Sequence, residues 1–276
     1  MAGRLYVVGT PIGNRGDLAG RARETLAAVD LVAAEDTRRT GRLLEGLGVR
    51  GKLVSYFEGN ERERTDQLLA ALRDGSDVAI VTDGGMPGVS DPGFRLVRAC
   101  ADEGIDVRVV PGPSAAVAAL VISGLPTDRF VFEGFLPRRE GERARRVRAL
   151  ADDPRTIVVF ESPLRVQTLL GEVLAELGNR RVAVARELTK LHEEVLRGRA
   201  SEVLEQIADR VLKGEVVVVI EGAAELSPGD VAAFVPEAAE LVAGGMRRRE
   251  AAREVAARHG VSANALYRAL LGGGAG

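Results

Sequence analysis

The stretch from Ile80 to Val97 reads IVTDGGMPGVSDPGFRLV, and it predicts a buried strand, a constrained loop and a helix in succession. The apolar run ends at Asp83, and the next ten residues contain four glycines, two prolines and a second aspartate, Asp91. In open α/β sheets, ligands bind beyond the carboxyl ends of the strands. Glycine lets the backbone approach a ligand closely, and proline limits the entropy that a loop loses on ordering. The stretch therefore predicts a ligand-binding loop.

Strands and helices alternate on both sides of this loop through the first half of the chain. The predicted strands cover residues 5–10, 31–35, 52–57, 77–83 and 106–112, and the predicted helices cover 17–30, 37–47, 60–75 and 92–104. Asp17 and Asp91 are predicted to be helix N-caps, with Pro92 at the first helical position. Alternation at this spacing is typical of crossover units and predicts a parallel sheet.

The pattern changes near Pro113. The second half contains predicted strands at 128–135, 155–162, 180–189, 193–198 and 215–222, and predicted helices that begin near 114, 138, 163 and 201. The strands at 180–189 and 193–198 are too close for a crossover helix, so we expect them to pair antiparallel. The fold class is therefore α/β, with a parallel sheet and then a mixed sheet. The predicted domains are 1–113, 114–223 and a helical segment, 224–276.

Three loops rich in glycine and proline follow strands in the first half, and they are named here by position. The first loop is residues 9–14, the central loop 82–93 and the third loop 111–116. Because the carboxyl ends of parallel strands meet at one edge of a sheet, we expect the three loops to converge. Such convergence predicts a pocket rich in backbone polar groups; the alternative is three separate surface turns.

Several classes of protein are disfavoured by composition and by missing motifs. The chain has one cysteine, Cys100, which indicates a reducing compartment, and we expect this side chain to be packed in the core. No signal-like segment or apolar run of eighteen residues occurs, so we expect a cytoplasmic protein. Neither G-x-G-x-x-G after a strand nor a P-loop motif is present, and two histidines with one cysteine predict no zinc site.

Positive charge is concentrated in two segments, although the formal net charge is −2. Residues 138–148 hold six arginines against two glutamates, and the tail from Gly244 holds the same numbers. These clusters favour contact with a polyanion at two places, or else they are solvated helix faces. The predicted RNA-binding residues are Arg138, Arg139, Arg145, Arg146, Arg247 and Arg248.

Seven motifs occur together and in order, and they carry a family resemblance. They are LYVVGTPIGNRGDL, DLVAAEDTRRTGRLL, VTDGGMPGVSDPG, VVPGPSAAVAAL, GLPTDRFVFEGFLP, VVFESPLR and ARELTKLHEEVLRG. The chain resembles the 16S rRNA (cytidine-2′-O)-methyltransferase family, a branch of the tetrapyrrole-methylase superfamily, over about residues 4 to 222. One departure is visible, because the branch usually has Asp-Ala-Gly-Thr-Pro where this chain has Asp83-Gly84-Gly85-Met86-Pro87.

The resemblance implies that S-adenosylmethionine binds in the cleft between two α/β domains of a homodimer. The implied product is a cytidine methylated on its ribose oxygen, in the decoding region of small-subunit ribosomal RNA. The implied cofactor-binding residues are Pro11, Ile12, Asp83, Gly85, Met86, Val89, Ser114, Ala115, Phe160, Glu161 and Ala185. Alignment through the central loop leaves Asp83 and Met86 as two candidates for one role.

Charged residues follow two strands near the implied pocket. A ribose hydroxyl is a poor nucleophile, so a base or a cation beside it would assist transfer. Asp36 or Glu35 is the candidate base, and Lys190 or Arg38 is the candidate group that holds phosphate or lowers the pKa of the hydroxyl. Alternatively, Asp36 caps the next helix and Glu35 ties the loop to an arginine.

Two further functions stay open at this stage. A tetrapyrrole methyltransferase shares the implied fold, although the basic clusters disfavour it. A non-catalytic RNA-binding protein that has kept the cleft is the other alternative. The tail resembles a helix-turn-helix pair with Gly260 at the turn, and its basic face would contact RNA backbone.

Overall fold

The computed structural model describes residues 2–224, 231–259, 261 and 263–272. The described chain forms two compact units. One unit comprises Met1–Arg148 and Arg155–Glu221, and it holds both β-sheets. The other comprises Ala149–Pro154 and Gly222–Gly276.

The first sheet is entirely parallel, as the alternating pattern predicted. Its strands are β1 (Leu5–Val8), β2 (Leu31–Ala34), β3 (Leu53–Ser55), β4 (Val78–Val81) and β5 (Val107–Val110). They lie in the order β3-β2-β4-β1-β5. The central strands are buried on both faces, which explains why they read as continuous apolar runs.

Four helices cover the two faces of this sheet. They are α1 (Gly20–Ala28), α2 (Thr37–Gly46), α3 (Glu61–Arg73) and α4 (Phe94–Asp102). Helices α3 and α4 pack with Leu5 and Ile80 on one face, and Cys100 of α4 is fully buried there, as predicted. Helices α1 and α2 pack with Val32 and Val81 on the other face.

Two predicted N-caps are wrong. Asp17 lies inside a 3-10 turn, Arg15–Asp17, whose cap is Asn14. Asp91 does not begin α4, because the N–H of Gly88 donates to the carbonyl of Pro92 and closes residues 88–92 into a turn. The helix starts only at Phe94, after Gly93 has turned the backbone at a φ of 137°. Asp91 is thereby left in the central loop.

The second sheet is mixed, and the predicted hairpin is confirmed. Its strands are β6 (Phe130–Phe135), β7 (Thr156–Glu161), β8 (Arg181–Arg186), β9 (Glu194–Arg199) and β10 (Val216–Ile220). They lie in the order β6-β7-β10-β8-β9, with only β6 and β7 parallel. Strands β8 and β9 pair antiparallel over their whole length.

Helices α5 (Ala115–Ser123), α6 (Glu140–Arg148), α7 (Val166–Leu177) and α8 (Ala200–Ile207) accompany this sheet. Ser114 caps α5 as predicted, with its hydroxyl accepting from the N–H of Val117. Pro163 begins a 3-10 turn rather than α7 itself. The apolar side of α5 packs on β7, β8 and β10, which supports the domain boundary near residue 113 that we continue to propose.

The second compact unit contains three described helices, α9 (Val235–Ala243), α10 (Arg248–His259) and α11 (Ala263–Gly272). They enclose a small core that includes Ala238, Val255 and Leu266. The predicted turn at Gly260 lies outside the described residues. Across the described ranges, no helix combines the length and the apolar character needed to cross a bilayer.

Candidate functional site

The three loops converge at the carboxyl edge of the first sheet. Thr10 and Gly85 exchange two backbone hydrogen bonds, of 2.9 and 3.0 Å, which join the first loop to the central loop. Gly9 and Gly112 approach so closely that a Cβ on Gly9 would lie 2.6 Å from the Gly112 Cα. Only glycine fits at these two positions, so the first and third loops meet backbone to backbone next to the residues that line the site.

The converging loops form one side of a cleft of about 700 Å³, a volume typical of small-molecule sites. Residues near 160–163, Lys190 and residues 214–217 line the other side. Ten predicted cofactor residues lie in this lining: Pro11, Ile12, Asp83, Gly85, Met86, Val89, Ser114, Ala115, Phe160 and Glu161. Ala185 does not, because its side chain is fully buried in the core beneath.

At Gly13, where the two sides of the cleft meet, there is no space for a side chain. A Cβ on Gly13 would lie 2.5 Å from the Cγ of Lys190 and 2.9 Å from the carbonyl oxygen of Leu188. On the second side, the Phe160 ring packs edge-on against Phe135, with centroids 5.6 Å apart. The site therefore combines polar backbone on one side with an aromatic wall on the other.

Two buried carboxylate oxygens in the lining have no hydrogen-bond partner among the residues that the structure describes: Asp83 Oδ1 and Glu161 Oε2. The other oxygen of Asp83 accepts from Arg39 at 3.0 Å. Glu161 Oε1 pairs with Arg165 at 2.6 Å and accepts from the N–H of Ser162. Because unpaired buried acceptors are costly, these two oxygens fit a ligand that brings hydroxyl or amino donors.

Asp36 and Arg38 do not line the cleft. Asp36 instead caps α2, accepting from the N–H of Arg38 at 2.8 Å and of Arg39 at 3.3 Å. Hydrogen bonds from Arg38 hold the pKa of Asp36 at about 2, so this carboxylate is a weak base. The structure thus bears out the capping alternative for Asp36, while a catalytic role for Asp36 or Arg38 stays a prediction.

Glu35 lines the cleft, and so does Asp91, for which the sequence pattern predicted a helix cap. Glu35 Oε2 accepts from the N–H of Asp83 at 3.1 Å, and burial raises its pKa. Burial raises the pKa of Asp91 to about 7, and the negative charges of Glu35, Asp83 and Glu215 contribute to that shift.

Lys190 lies in the cleft but is already paired. Its Nζ donates to Glu187 at 2.9 Å and to Glu215 at 3.2 Å. Burial lowers its pKa, yet these hydrogen bonds outweigh burial and the net shift is upward. Lys190 is therefore a fixed cation in a carboxylate pair, which suits positioning better than proton transfer.

The arginines of α6 are largely neutralised within the fold. Arg143 is buried and pairs with Glu172 at 2.7 Å, Arg146 pairs with Glu133 at 2.6 Å, and Arg148 pairs with Glu176 at 2.5 Å. Of the predicted RNA-binding residues here, Arg139 pairs with Glu142, while Arg138 and Arg145 are exposed. In the second unit, Arg247 and Arg248 are exposed, and Tyr267 packs in the core beneath Arg249.

Comparison with known proteins gives the family. The profile described as Tetrapyrrole (Corrin/Porphyrin) Methylases matches residues 4–204. A Ribosomal RNA small subunit methyltransferase I of Mycobacterium tuberculosis is 45% identical over 274 residues, covering 98% of this chain and 95% of the relative. A protein of the same name from Thermotoga maritima is 47% identical over 220 residues, covering 80% of this chain and 99% of the relative. The chain belongs to the ribosomal RNA small subunit methyltransferase I family.

This family shares its fold with tetrapyrrole enzymes of known structure. Uroporphyrin-III C-methyl transferase from Thermus thermophilus, complexed with S-adenyl homocysteine, is 26% identical with a TM-score of 0.56. The match covers 79% of this chain and 97% of that chain. Family membership thus accounts for the two α/β sheets.

The departure at Met86 has a structural role within this family member. Its Sδ accepts a hydrogen bond from the N–H of Gly112 at 3.3 Å, which joins the central loop to the third loop. The link between the two loops is therefore made by a thioether sulfur, which is a weak acceptor.

Proposed function

We propose that the protein transfers a methyl group from S-adenosylmethionine to the ribose 2′-oxygen of a cytidine in the decoding region of small-subunit ribosomal RNA. The observation that carries this proposal is the identity of 45% over 98% of the chain with a ribosomal RNA methyltransferase. The tetrapyrrole enzyme is only 26% identical over 79% of the chain. A tetrapyrrole substrate is therefore the weaker alternative.

The cleft suits S-adenosylmethionine through three of its features. The N-terminus of α5, at Ser114 and Ala115, presents backbone N–H groups that suit a carboxylate. The free oxygens of Asp83 and Glu161 accept from hydroxyl and amino groups. Phe160, with Ile12, gives the apolar contact that an adenine ring needs.

The bound cofactor supplies an electrophilic methyl group on a sulfonium, and the protein supplies alignment, exclusion of water and a proton acceptor. The O–CH₃ bond forms as the S–CH₃ bond breaks, and the hydroxyl proton must leave. We propose that Asp91 takes this proton, because it lies in the cleft lining with a pKa near neutrality. Glu35 accepts from the backbone N–H of Asp83, and its negative charge adds to burial, the main cause, in raising the pKa of Asp91.

Transfer of tritium from labelled S-adenosylmethionine tests the proposed function. We expect label in the RNA of purified small ribosomal subunits and 2′-O-methylcytidine after digestion. Label in uroporphyrinogen but not in RNA would support the tetrapyrrole alternative. Binding of the cofactor without transfer to either substrate would support a non-catalytic RNA-binding protein.

We also propose that the protein is a homodimer that works in the cytoplasm, where ribosomal subunits are found. On α5, Val117 and Val121 are exposed one turn apart, and Val109 is exposed on β5. Within the described chain, β5 pairs only with β1, so its outer edge is open to a second copy. Light scattering after gel filtration should give twice 29.2 kDa, and a single-chain mass would contradict the dimer.

A further inference from the structure

Four cations line the cleft, and two of them lack an anionic partner. Arg39 pairs with Asp83, and Lys190 pairs with Glu187 and Glu215. Arg15 and Arg42, by contrast, have neither a hydrogen bond nor an ion pair from their side chains within residues 2–224, 231–259, 261 and 263–272. Both are exposed, so their guanidinium groups are accessible at the cleft mouth.

Arg15 and Arg42 lie on the same side of α2. A Cβ on Gly46 would be 3.2 Å from Nη1 of Arg15, so this guanidinium lies against the helix at Gly46. Gly46 and Arg42 are four residues apart in α2, and residues at this spacing share a helix face. The Arg15 guanidinium therefore lies on the face of α2 that also carries Arg42, and both residues line the cleft.

Helix stability does not explain this arrangement. The first six residues of α2 include Arg38, Arg39 and Arg42 and no acidic residue, although acidic residues are preferred near a helix N-terminus. Arg42 stands four residues after Arg38 and three after Arg39, which are spacings at which like charges repel. Asp36 and Asp83 pair with the first two arginines, whereas Arg42 forms no ion pair with any described carboxylate and has only the exposed Glu45 three residues after it. An arrangement that costs stability in this way suits the binding of an anion.

The cleft lining also carries negative charge. Glu35, Asp83, Asp91, Glu161 and Glu215 all belong to it. A polyanionic substrate is repelled by these carboxylates, so its backbone needs cations at the cleft mouth while a single sugar enters. Arginine suits phosphate because it presents a planar fork of donors.

We infer that Arg15 and Arg42 form a docking site for RNA backbone phosphates at the entrance of the cleft, positioning the nucleotide whose ribose enters. This inference rests on the proposed function, since it takes RNA as the substrate. The two arginines would position the strand without reading its sequence, as phosphate contacts do. They extend the set of candidate RNA contacts beyond α6 and the C-terminal helices, at a place closer to the chemistry.

The test compares the double variant Arg15→Glu, Arg42→Glu with wild type and with Arg23→Glu. Arg23 is an exposed arginine on α1 outside the cleft lining, so it controls for the loss of a surface charge. Filter binding measures the Kd for purified small ribosomal subunits at several salt concentrations, and calorimetry measures the Kd for S-adenosylmethionine. The variant pair Arg15→Gln, Arg42→Gln removes the charges without adding repulsion, and thermal melts check that each variant folds.

We expect the double glutamate variant to bind subunits about tenfold more weakly, while its affinity for S-adenosylmethionine stays within twofold of wild type. The slope of log affinity against log salt should become shallower by about 1.4, because two single-strand phosphate contacts are lost. The glutamine pair should show the same change of slope, and Arg23→Glu should behave as wild type.

Three results would overturn the inference. They are a double variant that matches Arg23→Glu, an unchanged salt slope, and a parallel loss of affinity for S-adenosylmethionine, which would assign the two arginines to the cofactor carboxylate. Wild-type protein that binds subunits but transfers no label would instead count against the proposed function alone, because the binding comparison needs no turnover.

Discussion

Replacement of Gly9 by alanine is expected to abolish tight binding of S-adenosylmethionine. The added Cβ would lie 2.6 Å from the backbone of Gly112 and 2.6 Å from Sδ of Met86, so the first and third loops would have to separate. Forced expansion of a packed site of this kind costs about 1–3 kcal/mol of stability. Because neighbouring residues of these loops line the cleft, we expect at least tenfold weaker binding in calorimetry, and lower thermal stability.

Gly171→Ala is the matched control for this substitution. Gly171 lies inside α7, and a Cβ there would meet no atom within 4 Å. Alanine is preferred over glycine inside a helix by about 1 kcal/mol, so this variant should be slightly more stable and should bind the cofactor as wild type does. If Gly9→Ala bound the cofactor as Gly171→Ala does, the close approach of the loops would not shape the site.

Replacement of Asp91 by asparagine is expected to lower kcat by about 10²–10⁴-fold, the range typical for loss of a general base. The substitution keeps the size of the side chain but removes its ability to take a proton. The affinity for S-adenosylmethionine should change little. Asp102→Asn, on the exposed surface of α4, is the control and should leave the rate unchanged.

The pH profile separates catalysis by Asp91 from a purely structural role. A base must be deprotonated to act, so activity should rise with pH through about 7, the pKa of Asp91, and then level off. Glu35→Gln can still accept from the N–H of Asp83, but it removes a negative charge that raises the pKa of Asp91. The rise should therefore move to lower pH in Glu35→Gln. A rise that persists unchanged in Asp91→Asn would show that another group accepts the proton.

The sequence was sufficient to predict the sheets and the convergence of the loops, because both follow from local patterns. Alternating apolar strands and helices specify a parallel sheet, and a parallel sheet brings its strand ends together. The hairpin of β8 and β9 followed from the short gap between them. These predictions needed no knowledge of which distant side chains meet.

Side-chain roles were harder to predict because they depend on distant partners. Asp91 before Pro92 matches a helix start, but a turn closed by Gly88 delays α4 and turns this aspartate into a cleft residue. In the sequence, the position of Asp91 in the same loop as Asp83 was the available indication that Asp91 belongs to the cleft. Asp36 is the opposite case. Its position after a strand predicted a site residue, but its carboxylate caps the next helix, α2.

Charge counting along the chain overestimated the free positive charge of residues 138–148 for the same reason. Residues 138–148 contain a surplus of arginine, but Glu133, Glu172 and Glu176 come from other elements and neutralise it. Arg15 and Arg42 lie outside the two basic segments, and the Arg15 guanidinium reaches α2 only because the turn after the first loop packs against that helix. Unpaired charge is a property of the folded surface, and only the structure shows it.

The most direct test of the central claim is a crystal structure of the protein with S-adenosylhomocysteine. We expect the ligand between the first, central and third loops, with its carboxylate at the start of α5 and donors within hydrogen-bond distance of Asp83 Oδ1 and Glu161 Oε2. A ligand bound elsewhere, or crystals soaked at saturating concentration with an empty cleft, would contradict the account.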